Sequence, residues 1–302
     1  MVFIRIYDDM DVDLELYRIF REVAKAGNIS KAAEKLFVSQ SAVSQAVIRL
    51  ENVIGGKLFD RGVRGVKLTA EGEVLFSHID GAILLIENAQ RQFSEMKELN
   101  SGSIKIGASD TICSLYLLPL LEKFNNKHPE IRISVTNRIT QASIDLLKRA
   151  AADIAFIHLP VEADGDLEIT PVKKIHDCFV VGGKYRHLAD GTLHLGDLKR
   201  YPFLTLEKAS NSRKQMDIFL AGHGVEIQPA IELGSLALLS GFAKIGLGVA
   251  ATIREDARDM LDRSELRELT FYEELPTRHI GLAKMKNVNL SFAARAFIDE
   301  MG

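Results

Sequence analysis

The most constraining feature of the sequence is a series of apolar residues at helical spacing, twice interrupted by capping residues, between positions 14 and 50. Leu14, Leu16, Tyr17, Phe20, Val23 and Ala24 recur at three- and four-residue steps and mark one face of a helix. Gly27 and Asn28 end it. Ser30 is the expected N-cap of a short helix containing Ala32, Ala33 and Leu36. Ser39 is the expected N-cap of the next, which carries Ala42, Val43, Ala46, Val47 and Leu50 inward. A packing helix followed by two short helices across a tight turn is a helix-turn-helix. Ala33 is expected where the two helices cross, with Leu36, Val38, Val43 and Val47 filling the core between them. That leaves Gln40, Ser41, Ser44, Gln45 and Arg49 facing outward: amides and hydroxyls that can read base edges, and a cation for phosphate. The competing reading of the same spacing is a surface helix of an ordinary bundle.

Local charge favours the first reading, although a patch of this size is on its own compatible with a solvated face. The 302 residues, enough for two domains, carry a net charge of −3. Residues 25–69 nevertheless hold Lys25, Lys31, Lys35, Arg49, Lys57, Arg61, Arg64 and Lys67 against Glu34, Glu51 and Asp60, a net +5. A cationic patch in an acidic chain suits phosphate binding and implies salt-sensitive affinity. Residues 58–69 read as two short strands around a glycine-flanked turn. Arg61, Arg64 and Lys67 make this a basic wing for the DNA backbone or minor groove.

From Ala70 to about Leu99 there is no proline, and Leu75, Ile79, Ala82, Ile86, Ala89, Phe93 and Met96 follow a seven-residue repeat. This is a coiled-coil seam on a rod about 45 Å long at 1.5 Å per residue, and it predicts pairing of two chains. After Asn100-Ser101-Gly102-Ser103 the pattern becomes alternating strands and helices: strands near 104–107, 131–135 and 153–157, helices near 111–126 and 144–150. Beyond Pro160, strands are expected near 167–172, 178–181, 203–206, 249–251 and 278–286. Helices are expected near 212–222, 235–244 and 292–301. These form two α/β lobes, with crossings near 158–162 and 266–271 and a cleft at the strand ends.

The run from Asn28 to Gln45, with Leu50-Glu51, Gly55, Leu58-Phe59-Asp60-Arg61 and Leu68-Thr69-Ala70-Glu71-Gly72, resembles the DNA-binding segment of LysR-type transcriptional regulators. Phe37 departs from the glycine that helix-turn-helix proteins favour at the turn. Leu118-Pro119, Phe124, Pro129, Asp153 and the Gly241–Gly248 segment extend the resemblance, less specifically, over the rest of the chain. It implies a winged helix-turn-helix at 1–70, a linker (dimerisation) helix at 71–100, and a bilobed, periplasmic-binding-protein-like effector domain at 101–302. Lobe I is expected at 101–159 and 268–302, lobe II at 160–267. The expected contacts with promoter DNA are Ser30, Lys31, Ser39, Gln40, Ser41, Ser44, Gln45, Arg49, Arg61 and Arg64. A homodimer, and a homotetramer built from two dimers, are further implications. The positions matching the family's effector pocket are Ser109, Thr111, Thr140, Gln141, Ser210, Ser212 and Ser235. Hydroxyls beside helix N-termini suit a carboxylate or another small anion; the competing role of each is a plain N-cap.

Other chemistries find little support. Cys113 and Cys178 are too few for a disulfide scaffold and fall in different expected lobes. There is no GxxxxGK[ST], HExxH or GxSxG motif, and Gly246-Leu247-Gly248 reads as a packing turn. Neither cofactor nor metal nor catalytic residue is expected, although an enzyme built on the two lobes is the alternative class. His158, beside the first expected crossing, is given a structural role. No apolar run suffices for a membrane span and no leader pattern opens the chain, so a cytoplasmic location is expected. Residues 2–7 alternate like a short strand, and Met10 is a plausible alternative start, so residues 1–9 receive no function.

Overall fold

The structure, a computed structural model, describes residues 12–62, 65–97, 102–162, 165–286 and 288–301, with the backbone alone for Arg61 and for residues 91, 92 and 94–97. The expected strand at 2–7, Met10, Arg64, Asn100 and Ser101 lie outside the described residues. The chain divides into two compact units, Met1–Arg91 and Gln92–Gly302.

In the first unit, helix α1 (Leu14–Ala26) begins at Asp13, whose carboxylate accepts from the Glu15 N–H at 3.0 Å, and stops at left-handed Gly27. Helix α2 (Ile29–Leu36) is capped by Asn28, which accepts from the Lys31 N–H at 3.1 Å; Ser30 is not the cap. The chain becomes helical one residue earlier than expected, so Asn28 is the last extended residue and Ser30 falls in the first turn. Helix α3 (Gln40–Ile54) is capped by Ser39, whose Oγ accepts from the Ala42 N–H at 3.2 Å. Phe20, Val23, Ala32, Ala33, Val43, Val47 and Leu50 form one core, with the Phe20 ring 5.3 Å from that of Phe59. Two expected core residues lie outside it: Ala42 is exposed, and so is 46% of Val38. The left-handed turn at Phe37 (φ 56°) carries Val38 over the rim, and Ala42 sits off the Val43–Val47 stripe. A left-handed non-glycine residue costs about 1–2 kcal/mol.

Strands β1 (Phe59–Gly62) and β2 (Gly65–Leu68) form the antiparallel wing. The buried Glu51 carboxylate fixes its entry, accepting from Lys57 Nζ at 2.7 Å and the Leu58 N–H at 3.0 Å. Burial alone would raise the pKa of Glu51, but these donors together hold it below the ordinary value. The wing docks where Val66 N–H donates to Gly27 O at 3.0 Å. A Cβ on Gly65 (φ 130°) would lie 2.4 Å from that same oxygen, so only glycine fits. Helix α4 (Ala70–Lys97) lays Leu75, Phe76 and Ile79 on the core, and Arg21 donates to Asp80 at 2.6 Å and Glu87 at 2.9 Å. The first two seam positions thus serve the chain's own head. Further along, Ala82, Ala89 and Phe93 are exposed and Ile86 half-buried.

The second unit opens with β3 (Gly102–Ala108) and α5 (Asp110–Ile112), which runs through a π-helical turn (Cys113–Leu117) into α6 (Leu118–Lys127). There follow β4 (Ile131–Asn137), α7 (Thr140–Lys148), β5 (Ile154–His158), β6 (Leu167–Val181), β7 (Thr192–Leu193), β8 (Phe203–Leu206) and α8 (Asn211–Gly222). The chain continues through β9 (Ile231–Leu233), α9 (Leu236–Lys244), β10 (Val249–Ile253), α10 (Arg254–Asp262), β11 (Arg267–Glu268) and β12 (Thr270–Phe271). It closes with β13 (Thr277–Met285) and α11 (Phe292–Glu300). Among the described residues nine strands join in the order β4-β3-β5-β13-β6-β10-β8-β9, with β11 also on β6, and β12 pairs with β7. The outer strands are parallel within each lobe; β6 and β13 run antiparallel between them. The Gly246-Leu247-Gly248 segment is a packing turn: a Cβ on Gly248 would lie 2.2 Å from Pro202 O.

The lobe crossings differ from the sequence expectation. Residues 167–176 of β6 pair along β13 in the first lobe, and the same strand then changes partners at Asp177 to join β10. The return lies between β12, which pairs with β7, and Thr277, so residues 268–271 stay with the second lobe. The polar stretch from Lys173 to Asp177 looks like a strand break in sequence because hydrophobic alternation stops there. It is instead where one continuous strand passes between lobes. The two connecting strands are pinned by a buried pair: Arg278 Nε donates to Asp177 at 2.7 Å, its second nitrogen donates to the other carboxylate oxygen, and its third reaches Ser212 Oγ at 3.2 Å.

Removing one partner strands the other charge in the interior. Asp177→Ala is expected to destabilise the fold by about 3–5 kcal/mol in urea melts, and an unchanged midpoint would contradict the pin. A second prediction concerns pH. Asp256 on α10 has its pKa raised to about 6, chiefly by burial and further by Asp110. A raised acid pKa penalises the folded state above that pH and leaves no penalty once the group is protonated in both states. Asp256→Asn should therefore be more stable than the wild type at pH 8, by about 1–3 kcal/mol, with the gap closed near pH 4. A gap that does not change with pH would contradict the assignment.

Candidate nucleic-acid interface and effector site

The helix α3 has two faces with opposite chemistry. Val43, Val47 and Leu50 are buried, while Gln40, Ser41, Gln45 and Arg49 are exposed and Ser44 is half-buried. The Ser39 cap fixes where the helix starts, and its hydroxyl also lies 3.0 Å from that of Ser41. Ser30 and Lys31 are exposed on the first turn of α2. The expected amides, hydroxyls and cation of α3 thus lie away from its buried side, and a helix N-terminus such as that of α3 carries N–H groups suited to phosphate. On the wing, Lys67 is exposed and Arg61 occupies a β1 position opposite Val66; the Arg61 side chain and Arg64 lie outside the described residues. Phe37 was not among the expected contacts, yet its side chain is 95% exposed beside Ser39. Its departure from glycine is the sequence signal that pointed there.

The expected effector residues divide into groups. Ser109 caps α5, accepting from the Ile112 N–H at 3.4 Å, and Thr111 beside it is buried. Gln141 is exposed and donates to Asp145 at 3.3 Å along its own helix. Thr140, Ser212 and the segment around His158 come together. Thr140 Oγ1 accepts from the His158 N–H at 3.2 Å, and Asn211 Nδ2 donates to His158 O at 2.7 Å and Pro160 O at 3.1 Å. This ties the starts of α7 and α8 to the end of β5. Ser212 also lines a small cavity of about 20 Å3, together with Arg213, Arg278, Asp177, Thr205, Leu236 and Thr252. Ser210 and Ser235 occupy N-cap positions of α8 and α9, but neither hydroxyl caps its helix.

Both cations at the cavity are already paired: Arg278 with Asp177, and Arg213 with Asp217 at 2.8 Å and Glu232 at 2.6 Å. Binding capacity therefore resides in hydroxyls and helix ends. His158 adds to it. The ring is buried, its Nδ1 has no hydrogen-bond partner, and burial, assisted by the Arg278 charge, lowers its pKa to about 3. It is a neutral imidazole at physiological pH, with a polar atom unused by the protein. Sequence reasoning gave His158 a structural role and overlooked Asp177, Arg278 and Arg213, because charged residues scattered over 100 positions carry no local motif. Cys113 and Cys178 are both unpaired; the Cys178 thiol is buried, which pushes its pKa well up. Among the described residues no group of His, Cys, Asp and Glu side chains could hold a metal ion, and no helix is long and apolar enough to cross a membrane.

Residues 14–73 match the family model described as bacterial regulatory helix-turn-helix protein, lysR family, and residues 97–302 match the LysR substrate binding domain. The chain is 31% identical to a probable RuBisCO transcriptional regulator of Cyanidioschyzon merolae, across 80% of this chain and 82% of that protein. It is 30% identical to the HTH-type transcriptional regulator YofA of Bacillus velezensis, across 91% of this chain and 89% of the relative. In fold it is similar to the crystal structure of CbnR, a LysR family transcriptional regulator, with a TM-score of 0.69 at 17% identity, covering 96% of this chain and 98% of the other. A structure of full-length CbnR complexed with its target DNA gives the same TM-score, at 18% identity and 96% and 99% coverage. The chain belongs to the LysR family and is a transcriptional regulator, with a helix-turn-helix DNA-binding domain followed by an effector-binding domain.

Proposed function

We propose that this regulator places α3 in the major groove of promoter DNA, works as a pair of chains joined through α4, and responds to a small organic anion held between its lobes. The observation that carries the reading is the two-faced α3: its apolar side is consumed by the head, and its polar side, led by Gln40 and Ser41, is exposed, with no partner element among the described residues of the first unit. Gln40, Ser41, Ser44 and Gln45 address base edges; Ser30, Lys31, Ser39, Arg49, Arg61 and Arg64 address phosphates. Pairing is supported by the exposed Ala82, Ala89 and Phe93 on the seam, and two heads on linked half-sites raise a weak single-head affinity. A homotetramer would pair two such dimers. The work is done by binding alone, with no catalytic residue and no cofactor, in the cytoplasm where the DNA is.

The effector's charge class follows from the uncommitted groups. The Ser210 and Ser235 hydroxyls stand at the N-termini of α8 and α9, where unpaired N–H groups and the helix dipole favour an anion. In this reading Thr140, Ser212 and the open His158 Nδ1 are further polar contacts for the effector, and Ser109, Thr111 and Gln141 are assigned to the same site. A ligand that binds one spacing of the lobes better than another shifts their equilibrium, and the paired heads follow.

The DNA arm is tested by fluorescence anisotropy on a duplex selected from a random library by the full-length chain. Gln40→Ala is expected to weaken binding about tenfold, one bidentate base contact being worth about 1–3 kcal/mol, and to leave the salt slope unchanged; Arg49→Ala should shallow that slope. Absence of any salt-sensitive binding by the wild type would contradict the proposal. The effector arm is tested by thermal-shift screening of small organic acids, with neutral and cationic compounds of similar size, on the full-length chain. A saturating ligand raises the melting temperature by mass action, and Ser210→Ala with Ser235→Ala should weaken that response about tenfold. Stabilisation by neutral or cationic compounds alone would contradict the anion.

A further inference from the structure

Phe37 is the most exposed large apolar side chain among the described residues, at 95%, and it sits in a backbone conformation that disfavours it. It closes α2 by a left-handed turn. Its N–H donates to Glu34 O at 3.2 Å, and the Val38 N–H reaches back to Ala33 O at 3.1 Å. Those bonds are made by backbone alone, and glycine would make them without strain. The ring therefore contributes nothing to the turn, and at 95% exposure it is not packed into the head either. A bulky residue held at positive φ with its side chain in solvent invites a functional explanation.

The position supplies one. Phe37 lies two residues before Ser39, the N-cap of α3, and is followed by the exposed Gln40 and Ser41. Val38, also exposed, extends the apolar spot. The exposed run Phe37–Ser41 leads directly into the N-terminus of α3, the helix that the proposed function places in the groove. What a duplex offers to an apolar ring there is the thymine methyl group in the major groove and the carbon face of deoxyribose along its wall.

We infer that Phe37 is a DNA-contacting residue that packs against a thymine methyl or deoxyribose face at the rim of the groove, adding affinity without touching phosphate. This rests on the reading of α3 as the groove-binding helix. It makes the strained turn a specificity element: the contact rewards a thymine where the ring meets a base, and fixes how deeply α3 sits where it meets the sugar.

The test uses the full-length chain, a duplex selected from a random-sequence library by the wild type, and the variants Phe37→Gly, Phe37→Leu and Gln40→Ala. Phe37→Gly is expected to bind five- to twentyfold more weakly, with an unchanged salt slope and a melting temperature equal to or above the wild type. Phe37→Leu, which keeps apolar bulk, should recover part of the loss. Replacing each thymine in turn by deoxyuridine separates the two surfaces. If one replacement weakens the wild type and not Phe37→Gly, the ring meets a methyl; if none does, while the Phe37→Gly loss persists, it meets sugar. Equal binding by wild type and Phe37→Gly overturns the inference. So does a Phe37→Gly loss that is matched by a loss of chain pairing in sedimentation, which would assign the ring to a second copy of the chain. If the wild type selects no duplex, or if Gln40→Ala costs nothing, the reading of α3 has failed; a loss in Gln40→Ala with none in Phe37→Gly removes the Phe37 contact only.

Discussion

A helix can present a row of polar side chains to a ligand only if its opposite side is locked in place, and in this protein that lock is the packing of Val43, Val47 and Leu50 against Phe20. The rest of the first unit extends it. Phe59 and Phe76 bring the wing and α4 to the same ring, at 5.3 Å and 6.5 Å. Glu51, one residue after Leu50, ties the last turns of α3 to the wing through the Leu58 N–H and Lys57. Arg21 ties α1 to α4 through Asp80, whose carboxylate titrates below its ordinary range because Lys25 and Arg21 outweigh the cost of burial. Helix α3, the wing and the first turns of α4 share one small core.

The second unit solves a different problem, which is to join two parallel sheets so that a ligand between them can matter. Two antiparallel strands, β6 and β13, carry the chain across, and the Asp177–Arg278 pair binds one to the other where they leave the first lobe. The third guanidinium bond, to Ser212, reaches the start of α8 in the cavity wall. His158 stands nearby at the end of β5, flanked by Thr140 and Asn211. The connection between lobes and the proposed ligand contacts therefore use adjoining residues. A change at one is mechanically close to the other.

Much of the first unit was legible in the sequence because its signals are local. Caps, apolar steps and a glycine-flanked turn all act within a few residues, and Ser39, Val43, Val47 and Leu50 stand where their spacing put them. The misplacements are local as well: Asn28 caps α2 where Ser30 was expected, and Val38 lies outside because Phe37 turns the chain left-handed. The seven-residue repeat does not distinguish pairing from packing in the chain's own head, and its first two positions, Leu75 and Ile79, serve the head. In the second unit, strands and helices were recoverable from periodicity, but the crossing was not. A strand that changes partners at Asp177 keeps the same backbone conformation while its surroundings change, and only the partner strands reveal it. The cavity is harder still, since Asp177, Ser212 and Arg278 meet through tertiary packing alone.

The claim on which the account stands is that the polar face of α3 occupies a major groove, twice per assembly. Dimethyl sulfate footprinting of the bound duplex tests it directly, because the reagent modifies guanine N7 at the floor of that groove. The account predicts guanines protected in two half-sites whose centres lie a whole number of helical turns apart, with that protection weakened in Gln40→Ala. Full retention of guanine reactivity in a bound duplex would place α3 elsewhere and contradict it.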